Sequence, residues 1–117
     1  MQNRRQVGST YEKIAEEYLK RSGYRICERN FRCRMGEVDL IALDGNVLVF
    51  LEVKYRKNTA YGNPAEAVTP AKRRTICKVA TYYRLIKEIP DSQPCRFDVV
   101  AILGDRVEVI KHAFEYC

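Results

Sequence analysis

Between residues 9 and 22, apolar side chains recur at helical spacing. Tyr11, Ile14, Ala15, Tyr18 and Leu19 fall at i, i+3, i+4, i+7 and i+8, which predicts one core-facing stripe. Ser9 followed by Glu12 has the spacing of a capping box, placing the helix start at Ser9, and Gly23 can take the left-handed conformation that ends it. A short strand is expected over 24–31. Residues 37–43 and 47–55 are dense in Val, Leu, Ile and Phe, and Asp44-Gly45-Asn46 between them predicts a hairpin with Gly45 and Asn46 as its loop. A polar loop containing Gly62 follows over 57–63, with Pro64 after it. Thr69 then caps a second helix with Pro70 at its first position, where a missing N–H costs nothing. That helix should run to about Lys87 and bury Ile76, Val79, Ala80, Tyr83 and Ile86. Pro90 and Pro94 bracket a loop, and 96–103 with 106–110 form a last strand pair turning at Gly104-Asp105. The order α-β-β-β-α-β-β predicts one α/β domain over 1–117, a central mixed sheet flanked by helices.

Charges interrupt the apolar hairpin in a particular way. If Asp44 pairs with Val47, counting outward sets Asp39 opposite Glu52. Period-two alternation then places Glu37 on the face of Asp39 and Lys54 on the face of Glu52, so four charged side chains converge on one patch. Adjacent carboxylates repel, and a sheet needing only stability would not place them together. A divalent cation, Mg²⁺ or Mn²⁺, resolves the conflict, since Mg²⁺ takes one or two carboxylates and fills its octahedron with waters and phosphate oxygens. A lysine beside it can orient water and stabilise charge on phosphate, which points to hydrolysis of a phosphodiester. The competing reading is a solvated strand end with weak Asp39–Lys54 and Glu37–Lys54 ion pairs. Spacing alone weighs the two about evenly, and a one-residue change in the loop would turn Asp39 away from Glu52.

Composition sharpens this only in part. The chain is 46% hydrophobic and 31% charged, an ordinary globular balance, and its net charge of +6 permits a polyanionic partner without requiring one. Lys72, Arg73 and Arg74 open the second helix, where the macrodipole favours acids; positive charge there suits a phosphate backbone, with Lys72 the strongest candidate. Arg56 continues the face of Lys54 and is a further candidate phosphate contact, the competing reading being a solvated strand end. Asp98, between Phe97 and Val99, reads as a buried structural acid. The eight tyrosines sit mostly at core spacing and do not suggest a platform for stacking bases. Five cysteines with no C-x-x-C pair, and a lone His112, make no zinc site; they read as reduced thiols, mostly buried. No apolar run could cross a bilayer, and Ser9, Thr10 and Glu12 follow the basic amino-terminal residues where a signal peptide would be apolar, so a cytoplasmic protein is expected.

The series Gly8, Glu12, Ala15, Gly36-Glu37-Val38-Asp39-Leu40-Ile41, Leu51-Glu52-Val53-Lys54-Tyr55-Arg56 and Arg96-Phe97-Asp98-Val99-Val100 resembles the bacterial YraN family. That family is assigned to the restriction-endonuclease-like, PD-(D/E)XK superfamily and is similar in motif layout to archaeal Holliday-junction resolvases. The resemblance implies a restriction-endonuclease-like fold and a metal-dependent nuclease acting on DNA, branched or junction DNA in particular, with a symmetric dimer to cut two strands. It implies that Asp39 and Glu52 bind metal, that Lys54 is the catalytic lysine, and that Glu12 completes the metal site directly or through water. Glu12 thus has two readings, cap or metal site, and Glu37 is expected to tune the field beside the metal. Val38 stands where the superfamily's name has proline. The superfamily also contains non-catalytic members, so a nucleic-acid-binding or partner-docking module is the alternative.

Overall fold

A two-residue turn at Gly45-Asn46 sets the register of the sheet, as the hairpin signal predicts: Asp44 pairs with Val47, and pairing continues to Leu40 with Leu51. The computed structural model describes the backbone of residues 4–57 and 68–117, and the side chains of 10–57 and 68–117. The polar loop expected over 57–63 lies, beyond Lys57, outside the described residues, as do Gly62 and Pro64. The elements are α1 (Arg4–Arg21), β1 (Arg25–Cys33), β2 (Gly36–Asp44), β3 (Val47–Arg56), α2 (Pro70–Ile86), β4 (Cys95–Leu103) and β5 (Arg106–Phe114). They form a five-stranded mixed sheet in the order β1-β2-β3-β4-β5. Every neighbouring pair is antiparallel except β3 and β4, which run parallel and are joined through α2.

The two helices divide the core between them. Ala15 and Leu19 of α1 lie with Leu40, Ala42, Val49, Leu51, Val100 and Ile102. Ile76, Cys77, Val79, Ala80 and Tyr83 of α2 lie with Val38, Ile41, Phe50, Phe97 and Val99. Burial on both faces explains why β3 and β4 read as near-continuous apolar runs rather than alternating ones.

Three local expectations are corrected. Helix α1 begins at Arg4, so Ser9 is an interior helical residue and the capping box is not used. Nothing from Arg4 to Gly8 stops a helix, since one interior glycine costs only about 1 kcal/mol. Ile14 and Ile86, expected in the core, are 38% and 47% exposed, at the margins of their helical stripes. Of the cysteines only Cys77 is buried, while all five are free thiols. Thr69 does cap α2, its hydroxyl accepting the Lys72 N–H at 3.1 Å.

Gly36 brings the β1–β2 hairpin against α2. Its φ of +143° disfavours any side chain, and a Cβ there would stand 2.5 Å from Thr75 Cγ2. Gly36→Ala should therefore lower stability by about 1–3 kcal/mol in urea unfolding, the cost of overfilling a tight contact. An unchanged midpoint would show that the hairpin and helix are not held together there.

Candidate metal and phosphate site at a fork in the sheet

The β2–β3 ladder stops at Leu40 and Leu51. Pairing of β1 with β2 goes on to Cys33 and Gly36, and that of β3 with β4 to Arg56 and Leu103, so the sheet parts between β2 and β3 beyond Leu40. The expected pairing of Asp39 with Glu52 is the first one missing from the ladder. In its place the Asp39 carboxylate accepts the backbone N–H of Val53 at 2.8 Å. The two acids are thus neighbours, as the hairpin count predicts, but a side chain has taken over the work of a strand. Alternation in β2 also breaks here: Val38 belongs to the core beneath α2 and Leu40 to the core beneath α1, although strict period two would put them together. Asn30 of β1, between the residues that pair with Val38 and Leu40, carries a φ of +50°.

A fork lets both faces of the sheet contribute to one pocket of about 320 Å³, lined by Glu12 and Tyr11 from α1, Glu37 and Asp39 from β2, Glu52 to Tyr55 from β3, and Lys72 from α2. Glu52 is 4% exposed, and its Oε1 has no hydrogen-bond partner. Burial, with the charge of Asp39 added, pushes its carboxyl up to about 7; Lys72 and Lys54 pull the other way without cancelling this. Burial also raises Asp39, against the opposing Val53 hydrogen bond and the charges of Lys72 and Lys54. Glu12 is raised by burial and by Asp39. Among the described residues no three His, Cys, Asp or Glu side chains gather as one metal-binding cluster, so the donors at hand are the Asp39–Glu52 pair with Glu12 on the pocket wall. A buried acceptor left unpartnered beside a second carboxylate is a donor set that suits a hard cation.

The surface ion-pair reading of these charges is not what the structure holds. Glu52 is buried, and Glu37 pairs with Arg32 at 2.8 Å rather than with Lys54. The predicted basic run separates into three fates. Lys72 reaches the pocket. Arg73 turns inward, donating from Nε to the Val68 carbonyl at 2.9 Å and lying 5.6 Å over the Phe114 ring. Arg74 is exposed and lines a different groove. Arg56 is half-buried, donating to the Tyr55 carbonyl at 2.8 Å, and is not among the residues lining the pocket. If the pocket takes a nucleic-acid backbone, Lys72→Ala should weaken that binding and reduce the slope of log affinity against log salt by about one, while Arg73→Ala should chiefly destabilise the fold. Equal losses of affinity in two equally folded variants would contradict this division.

Tyr11 and Tyr55 stack with centroids 4.1 Å apart and form one wall of the pocket. Tyr11 falls in the predicted core stripe, and only its position next to Glu12 hinted at a place in the site. Asp98 has the structural role expected of it. It accepts from the Tyr24 hydroxyl at 2.9 Å, from two Arg96 nitrogens at 2.8 Å each, and from the His112 N–H at 3.0 Å. The last of these secures the bulge where His112 takes a φ of +54°.

No helix among the described residues is long and apolar enough to cross a membrane. Residues 11–102 match the family described as "Uncharacterised protein family UPF0102". A UPF0102 protein of Lachnoclostridium phytofermentans is 48% identical over 113 residues, covering 97% of this chain and 96% of its own. Another, of Symbiobacterium thermophilum, is 55% identical over 100 residues, covering 84% and 82%. A third, of Geotalea daltonii, is 49% identical over 114 residues, covering 93% and 89%. This chain therefore belongs to the UPF0102 family.

Proposed function

We propose that the protein is a divalent-metal-dependent nuclease of the PD-(D/E)XK, restriction-endonuclease-like type, hydrolysing phosphodiester bonds in DNA with a preference for branched or junction structures. One observation carries the reading: a buried carboxylate with an unpartnered oxygen, Glu52, and the half-buried carboxylate of Asp39 meet two lysines at a fork in the sheet. A fold gains nothing from such a pair on its own, because an unsatisfied buried acceptor costs about 1–3 kcal/mol.

Asp39 and Glu52 would hold the cation, Mg²⁺ or Mn²⁺, with Glu12 beside them. Such an ion supplies Lewis acidity toward a phosphoryl oxygen and makes water a better nucleophile at neutral pH. Asp39 has a second task, since its bond to Val53 N–H keeps the fork open and aims the carboxylate. Lys54, two residues beyond Glu52 on the same strand, brings an ammonium to the pocket, where it donates hydrogen bonds to the phosphate as negative charge grows there. Lys72 adds a second positive charge from α2 and would draw the phosphate backbone in. No base-reading motif accompanies these groups, which supports recognition through phosphate and shape rather than sequence. Cutting two strands of a junction would take two copies of the chain.

Calorimetry with Mn²⁺ tests the metal pair. The wild-type protein should bind one ion, and the Asp39→Ala, Glu52→Ala double variant should bind none. Unchanged binding by the double variant would place the cation elsewhere and remove the basis of this reading.

A further inference from the structure

The counting of cysteines along the chain gives no pairing signal, yet two that are 40 residues apart meet: the Sγ atoms of Cys77 and Cys117 lie 2.7 Å from each other. We propose that Cys77 and Cys117 form a reversible disulfide that fastens residues 115–117 to α2. Among the described residues no other two cysteine sulfurs make a contact of this kind.

Independent contacts hold the two thiols in place. The Cys117 backbone N–H donates to Cys77 Sγ at 3.1 Å, and the Cys117 thiol lies 3.6 Å from the Arg73 carbonyl. Tyr116 anchors the same segment: its hydroxyl is 2.6 Å from that of Thr81, its ring meets Phe97 edge-on at 5.1 Å, and the Arg84 guanidinium lies 5.7 Å over it. Non-covalent contacts have thus already met most of the entropic cost of closing the loop.

Access decides the order of events. Cys117 is exposed, whereas Cys77 is 1% exposed. The oxidant required is a low-molecular-weight disulfide. The Cys117 thiolate attacks one of its sulfurs, a mixed disulfide forms, and the displaced thiolate takes up a proton. Cys77 then gives its proton to solvent and attacks the Cys117 sulfur, releasing the second small thiol. Two protein thiols are oxidised and one small disulfide is reduced to two thiols. Burial, with the contact to Cys117, holds the Cys77 thiol up to about 11, so the second step is the slow one. The first turn of α2 carries Lys72 and Arg73, so the staple closes on the helix that reaches the pocket.

The test uses the native chain and oxidised glutathione at mildly alkaline pH. Expected are the loss of two hydrogen masses, a Cys77–Cys117 cross-linked peptide, and a melting temperature higher by about 5–10 °C that a reductant reverses. Cys117→Ser, altered at an exposed position, should fold normally and show neither the cross-link nor the shift. A glutathione adduct that persists on Cys117, or modification of exposed Cys27 while Cys77 and Cys117 stay reduced, would overturn the proposal. Neither outcome depends on the nuclease reading.

Discussion

Lys54→Ala should cut a four-way DNA junction at least a hundredfold more slowly than wild type in single-turnover cleavage, while binding Mn²⁺ and DNA nearly as well. A hundredfold corresponds to about 3 kcal/mol of transition-state stabilisation, the size expected when one charged donor to a developing phosphate charge is removed. The separation of rate from affinity follows from position. An ammonium donates but does not ligate a cation, so its loss leaves the Asp39–Glu52 pair intact. Lys72 remains in the pocket to attract the backbone. Equal cleavage rates for wild type and Lys54→Ala would assign the activity to another site or another protein. A change in affinity alone, with no metal-dependent cleavage by wild type, would favour a binding module on this fold.

Glu52→Gln should stabilise the metal-free protein at neutral pH, by an amount on the order of 2–3 kcal/mol. The Glu52 carboxyl moves from an ordinary 4.5 to about 7 in the folded chain. Its neutral form is the one the fold favours, so its contribution is fully present below 4.5 and is lost as pH rises through 7. Wild type in a chelator should therefore lose stability between pH 4.5 and 7.5 beyond the loss seen in Glu52→Gln. Added Mn²⁺ should restore wild type at pH 7.5 and do little for the variant. Mutual repulsion treats the two acids alike, but the structure separates them. Asp39→Ala also deprives the Val53 N–H of its acceptor, so that variant should gain little or lose stability. Parallel pH profiles for wild type and Glu52→Gln would mean that Glu52 is not the buried acid described above. Thermal unfolding across this pH range decides it.

Elements whose signals are local were legible from the residues. Thr69-Pro70 capped α2, Gly45-Asn46 made the turn, and the count outward from Asp44 and Val47 brought Asp39 and Glu52 together. What could not be read was the loss of regularity at the site. A ladder that ends at Leu40, with a carboxylate bonded to a strand N–H, has the same local sequence as one that continues. Choosing between them depends on what α1 and α2 press against the two faces. Arg73 shows the same limit: its charge suggested phosphate, and its nearest stabilising partners are the Val68 carbonyl and the Phe114 ring. The capping reading of Ser9 and Glu12 failed because a helix start is a competition between neighbouring residues, and the helix extended past the cap. That failure leaves Glu12 free of the cap and facing the pocket.

Single-turnover cleavage of a panel of branched and linear DNAs, in Mn²⁺ or Mg²⁺ and again in chelator, tests the central claim most directly. The protein should cut junction DNA in the presence of the metal, fall silent in chelator, and lose activity in the Asp39→Ala, Glu52→Ala variant prepared in parallel. Cleavage that persists in that variant, or no cleavage of any substrate with either metal by a wild-type protein shown to bind Mn²⁺, would contradict the assignment of a nuclease centre to the fork between β2 and β3.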